Sequence, residues 1–204
     1  MNQQECFLQI IKLIPSNEVL ALFKNEIIKI INKMSVMKGF ELRQIARPGA
    51  MMSLEFGERI KKNTAERNDN IKSEIKNTVD LKYAVHIDGF FRITHKGRIA
   101  LSKDDMFRPS SLIRNDILDE DDFEWDIAGN NKFDEEKDKF EDIDLSIREI
   151  YVNEYGDLRI ILSDDYSIEV FVDTNEDEEC WRFFEVGNNE KPHIVITGCG
   201  YFEE

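Results

Sequence analysis

Hydrophobic and polar positions change period several times along this chain, and each change marks an element. Residues 3–14 place Phe7, Ile10, Ile11 and Ile14 at i, i+3, i+4 and i+7, one face of a helix. Pro15 interrupts the pattern. Ser16 or Asn17 can then cap a second helix, since a short polar side chain there accepts from free amides of the first turn. That helix carries Leu20, Phe23, Ile27, Ile30, Ile31 and Met34 on one side, although the Ile-rich stretch 27–31 would equally suit a strand. From Phe40 the period shortens. Leu42 and Ile45, then Met51 to Phe56, flank the turn signal Arg47-Pro48-Gly49 and predict a hairpin ending at Gly57.

Residues 58–80 are almost entirely polar, rich in Lys, Asn and Glu, and their composition favours low order. A second strand-like block runs from Tyr83 to Thr94, turns at His95-Lys96-Gly97, and continues from Arg98 to Ser102. Residues 103–144 read as a long irregular connection, with Phe107, Phe123, Trp125 and Phe133 pinning it to the core. Five short strands are then predicted: Ile147–Val152, Leu158–Leu162, Tyr166–Val172, Trp181–Val186 and His193–Thr197. Tyr166, Ile168, Val170 and Val172 alternate with polar or outward positions, as a half-buried strand requires. Short connections imply antiparallel neighbours, hence a meander. The expected architecture is a single α+β domain over 1–204, with a helical segment 1–36, a polar insertion 58–80, an acidic irregular connection 103–144 and a largely antiparallel sheet closing in a β-meander at 145–200.

Composition changes this picture in two ways. A hydrophobic fraction of 41% with 14 Phe supplies ample core for 204 residues. A chain of this length buries about 70% of its unfolded surface without needing disulfides or metals. The net charge of −15 is also unevenly placed. Residues 1–100 hold 17 Lys and Arg against 11 Asp and Glu, whereas residues 101–204 hold 10 against 31, a shift from +6 to −21. Phosphate binding needs a basic surface, so the C-terminal half is a poor fit for nucleic acid and fits either a basic protein partner or a plain solvated face with no partner. No stretch approaches the roughly 20 apolar residues of a membrane span. The residues Met1 to Glu5 do not resemble a secretory leader. Cys6, Cys180 and Cys199 form neither a CxxC pair nor a disulfide framework. A cytoplasmic protein with reduced thiols is expected, with homo-oligomerisation left open.

Candidate chemistry is sparse. His86, His95 and His193 form no HxH or HExxH spacing, and each reads as a strand or turn histidine. The loop Asp173 to Glu179 has oxygen ligands at its first, third and fifth positions, like a calcium loop. It has Glu178 where that loop needs Gly and Phe184 where it needs a bidentate Glu. Cys199 as a nucleophile would need His193 as its base, six residues away on the same strand face. No GxSxG, GxxxxGK[ST] or GxGxxG motif is present. No catalytic residue, metal or cofactor is expected, and no enzymatic activity.

Several pieces resemble a family of uncharacterised bacterial proteins. They are Arg47 to Gly57, Ala84-Val85-His86 with Phe91-Arg92-Ile93, Gly97-Arg98-Ile99 with Ser102 and Asp104 to Phe107, Phe123 to Asp126 with Asn131 and Phe133 to Glu135, Leu158 to Asp173, Trp181 to Phe184, and His193 to Gly198. The resemblance spans roughly residues 40–200, with Phe91 where related sequences often carry Trp. The C-terminal pattern of a strand, an acidic turn, a strand, a Trp-bearing strand and a His-initiated strand ending in Gly is similar to one found among immunity proteins of bacterial polymorphic toxin systems. The resemblance implies an antitoxin-like protein that neutralises a basic toxin domain. The expected contact surface is Asp119, Glu120, Asp121, Asp122, Glu124, Asp126, Asp134 and Glu135 around Phe123, Trp125 and Phe133. The alternative expectation is a small-molecule anion or enzymatic pocket lined by Arg47, His86, Arg92, Trp181 and His193.

Overall fold

A computed structural model describes residues 16–58, 81–113, 123–140 and 142–204, with side chains from residue 25 onward. The predicted helix 3–14, most of the polar insertion and the acidic run Asp119 to Asp122 lie outside the described residues. Helix α1 spans Ser16–Met34 and continues as a short 3-10 turn, Ser35–Met37. The Ile-rich stretch is therefore helical. Ile30, Met34 and Met37 are buried, with Ile27 and Ile31 packed against the same core.

The rest of the described residues form mainly an antiparallel sheet of eleven strands. They are β1 (Glu41–Ala46), β2 (Met52–Gly57), β3 (Leu81–Ile87), β4 (Phe90–His95), β5 (Arg98–Ser102), β6 (Leu145–Val152), β7 (Leu158–Leu162), β8 (Tyr166–Phe171), β9 (Glu179–Glu185), β10 (Ile194–Thr197) and β11 (Gly200–Glu203). Their spatial order is β11-β10-β9-β3-β2-β1-β6-β7-β8-β4-β5. A sheet of this size flanked by helices fits an α+β description in which the sheet dominates.

The sheet order corrects the expected C-terminal meander. The strands β6-β7-β8 form one meander and β9-β10-β11 another, with β3-β2-β1 between them. The cause is a shared corner. The block 83–94 is two strands, β3 and β4, broken at Asp88-Gly89. The amides of Asp88 and Gly89 both donate to the Cys180 carbonyl, at 2.9 and 2.8 Å. At this point the β3–β9 ladder, which ends at Ile87 and Trp181, gives way to the β4–β8 ladder, which begins at Phe90 and Phe171. Gly89 is required there for space: a Cβ would lie 2.9 Å from the Phe171 carbonyl oxygen. Strand β11 was not anticipated, since Gly200 to Glu203 is too short to show a period.

Inward positions of the strands build one core. Met52, Leu54 and Phe56 of β2, Val85 and Ile87 of β3, Phe91 and Ile93 of β4, and Ile168 and Val170 of β8 all have no exposed surface. Trp181 sits among them and donates its indole N–H to the Gly156 carbonyl at 2.9 Å.

The connection 103–144 is less irregular than expected. It contains a 3-10 turn, Lys103–Phe107, helix α2 (Lys132–Lys137) and a second 3-10 turn, Asp138–Phe140. Ser102 and Asp105 form a capping box on the first. Asn131 caps α2 by accepting from the Asp134 amide at 2.9 Å. Phe133 and Phe140 are buried and anchor the segment.

Candidate functional site

The acidic connection folds back on the β1–β2 turn through Arg47. Its guanidinium donates to the Trp125 carbonyl at 3.1 Å and to the Gly49 carbonyl at 2.8 Å. It also meets Asp134 at 3.4 Å and Asp126 at 3.3 Å. Asn131 donates to the Trp125 carbonyl and to Asp134, and the Gly129 amide donates to the same carboxylate. Asp134 is thus a buried, satisfied junction, and burial places Phe133 in the core facing Phe91. Neither belongs to an accessible contact surface, which corrects that part of the expectation. Their acid-rich surroundings in sequence hid a short amphipathic helix.

What remains exposed around this junction is mixed. Phe123 and Trp125 pack edge to face at 4.4 Å and are half-buried. Glu124 and Asp126 project to solvent, the latter with 88% of its side chain exposed. Glu135 is held by Ser111, whose amide and hydroxyl both donate to it, which lowers its pKa. Leu112 is 86% exposed and Ile127 49% exposed on the same unit. The unit is stitched by Ser110 N to Asn130 O at 2.8 Å and Asn130 N to Ile127 O at 3.1 Å. Sequence reading missed Leu112 and Ile127, because an isolated apolar residue in a polar run carries no period.

The alternative pocket does not assemble. Arg47 lies at the junction just described, Trp181 is in the core, and Arg92 lies on β4 beside Glu169. Only His86 and His193 approach one another, on the outer face of β3, β9 and β10. Phe184 lies between them, edge-on to His86 at 4.7 Å and stacked on His193 at 4.6 Å. Arg182 faces His193 Nδ1 at 3.2 Å and is clamped by Glu179. A guanidinium only donates, so His193 Nδ1 accepts. The Glu179 hydrogen bond holds the Arg182 pKa above its ordinary value. Burial, with Arg182 and His193 nearby, pushes the His86 pKa down. Ser53 pairs across β2–β3 with His86 and is buried with its hydroxyl unpartnered.

Cys199 and His193 do not form a dyad. Cys199 occupies the β10–β11 turn, whereas His193 closes the opposite end of the hairpin, exchanging backbone hydrogen bonds with Glu204. Burial pushes the Cys180 thiol up, away from thiolate chemistry. Among the described residues, no group of three or more His, Cys, Asp and Glu is placed to hold a metal ion. No helix among them is long and apolar enough to cross a membrane.

The fold and these surfaces define a large antiparallel sheet protein with an acidic, core-anchored connection carried on its β1–β2 end. No family model, curated protein or solved structure matches the chain.

Proposed function

We propose that this chain is an immunity- or antitoxin-like protein that binds a basic protein domain through the acidic connection. The observation that carries the reading is the pairing of exposed apolar side chains, Leu112 and Ile127, with exposed carboxylates, Glu124 and Asp126, on one anchored unit. Protein contacts draw affinity from a few desolvated apolar anchors and draw rate and selectivity from the charged rim. The half-buried Phe123–Trp125 pair adds aromatic surface beside them. The Arg47–Asp134–Asn131 junction supplies rigidity, so little ordering cost falls on binding. A basic partner, such as a nuclease-type toxin domain with a phosphate-binding surface, complements a chain of net charge −15. Steering of this kind raises association rates by about 10- to 10³-fold.

The test is capture of the tagged protein's partner from its source organism at low salt, followed by co-expression of that partner. The expected partner is basic, is released as salt rises, and is toxic alone but harmless when co-expressed. A partner that is acidic, or whose toxicity is unchanged by co-expression, defeats the reading.

A further inference from the structure

The outer face of β4, β5, β7 and β8 holds a local excess of basic side chains on a chain whose net charge is −15. Register explains how it forms. Arg92 pairs across β4–β8 with Glu169, which pairs across β7–β8 with Arg159. The adjacent row is Ile99, Thr94, Ser167 and Ile161. Two tight hairpin turns rim these rows: Lys96-Gly97 and Asp164-Asp165, all four residues with positive φ. The result is an open concavity of about 620 Å³ with Thr94 and Ser167 among its lining. Arg92, Lys96, Arg98 and Arg159 line it with only Asp165 and Glu169 in opposition, an excess of two positive charges.

The arginines differ in how they are engaged. Glu169 holds Arg92 at 2.5 Å and reaches Arg159 at 3.6 Å. Among the described residues, Arg98 and Lys96 pair with no carboxylate. Ser167 accepts from Arg159 Nε at 3.2 Å, which leaves its hydroxyl proton to donate. Ile99, 60% exposed, adds an apolar flank beside Arg98.

We propose that this concavity binds a phosphorylated small molecule, a phosphate monoester with an apolar or planar body, through Arg98, Arg92 and Arg159. Charge selects the head group. A phosphate monoester carries about −1.5 to −2 at neutral pH, matching the local excess, whereas a monocarboxylate would leave one cation unbalanced. Arginine forks match phosphate oxygens in pairs. Volume selects the body: small-molecule pockets run about 300–1,000 Å³, far more than a bare phosphate fills. Ile99 and Ile161 supply the apolar contact. A long polyanion is disfavoured, because it would extend past this face onto the acidic surface of a chain of net charge −15.

The experiment is calorimetric titration of the full chain with three probes, adenosine monophosphate, inorganic pyrophosphate and a short duplex DNA. Saturable binding of adenosine monophosphate is expected. Arg98→Ala should weaken it about tenfold or more, the loss of a charge-assisted hydrogen bond. Glu169→Gln should tighten it severalfold by releasing Arg92 and Arg159, an effect opposite to that of mere structural damage. Glu124→Lys, on the acidic connection, should leave the affinity unchanged, which separates this site from the protein-binding reading. Circular dichroism verifies that each variant is folded. The proposal is overturned by absence of saturable binding of either small probe at millimolar concentration, by full affinity in Arg98→Ala, by weakening in Glu169→Gln, or by binding of duplex DNA alone. Pyrophosphate binding as tightly as adenosine monophosphate would overturn the assigned apolar contact.

Discussion

Arg47, in the turn after β1, and Asp134, in the first turn of α2, stand 87 residues apart in sequence and meet with Nη2 3.4 Å from Oδ2. Their side chains are only 6% and 10% exposed. Without Arg47 the Asp134 carboxylate keeps Lys137 at 3.8 Å and two amide donors but loses its guanidinium partner. Arg47→Met should therefore destabilise the protein by about 2 kcal/mol, read as a lower urea midpoint. Asp134→Asn should cost less, because an amide can still accept from Asn131 and the Gly129 amide. Equal stability of Arg47→Met and wild type would show that the junction does not anchor the connection.

Gly198 offers a second test, one that depends on space and not on charge. A Cβ there would lie 2.3 Å from the Thr174 carbonyl oxygen and 2.7 Å from that of Glu176. Both obstacles are backbone, so no side-chain rotation relieves them. Gly198→Ala should displace the acidic loop 173–179 and lower stability by about 2 kcal/mol, within the range for overpacking. Gly187→Asn, at φ +74° with nothing within 4 Å of the built Cβ, should be tolerated. Comparable melting temperatures for Gly198→Ala and wild type would refute the close contact.

His86 gives a signature in pH. Burial and the neighbouring Arg182 and His193 depress its pKa below 6.5, while Glu179 works against them. In the window below 6.5 the unfolded chain takes up a proton that the folded chain refuses, so folding loses stability as pH falls. The contribution is complete above 6.5 and drains away between 6.5 and the lower folded value. His86→Gln should flatten the stability curve there without changing its slope near pH 8. A wild-type curve superimposable on the variant's from pH 5 to 7 would mean the imidazole titrates as it does in water.

Much of the fold was legible in turns and alternation, and much of the site was not, for one physical reason. Hairpins β1–β2, β4–β5, β6–β7 and β7–β8 announce themselves through Arg47-Pro48-Gly49, Lys96-Gly97, Tyr155-Gly156-Asp157 and Asp164-Asp165, because turn chemistry is local. The corner at Asp88-Gly89 is not local. Its meaning depends on Cys180 lying opposite, so one block was expected where two strands exist. The same holds for sites. Arg92 stood out in sequence, but its partners Glu169 and Arg159 follow from β4–β8 and β7–β8 register. Phe133 carries two expectations in sequence, a core anchor and a member of the contact surface, and the helix that turns it inward satisfies only the first.

The acidic connection should divide the kinetics of partner binding between two kinds of residue. Glu124 and Asp126 are exposed, and charges on a rim act mainly before contact, by guiding encounter. Asp126 also pairs with Arg47, so reversing Glu124 alone to Lys is the cleaner test; it should slow association by about two- to fivefold at low ionic strength, with the difference shrinking as salt shortens the Debye length to about 8 Å. Dissociation should scarcely change. Leu112 has no charge to guide anything and can contribute only once desolvated, so the uncharged Leu112→Ser should leave association nearly intact and speed dissociation by about tenfold or more. Stopped-flow or surface-bound kinetics with the captured partner would resolve the two rates. Charge reversal that alters only dissociation, or Leu112→Ser that alters neither rate, would place the contact elsewhere on the molecule.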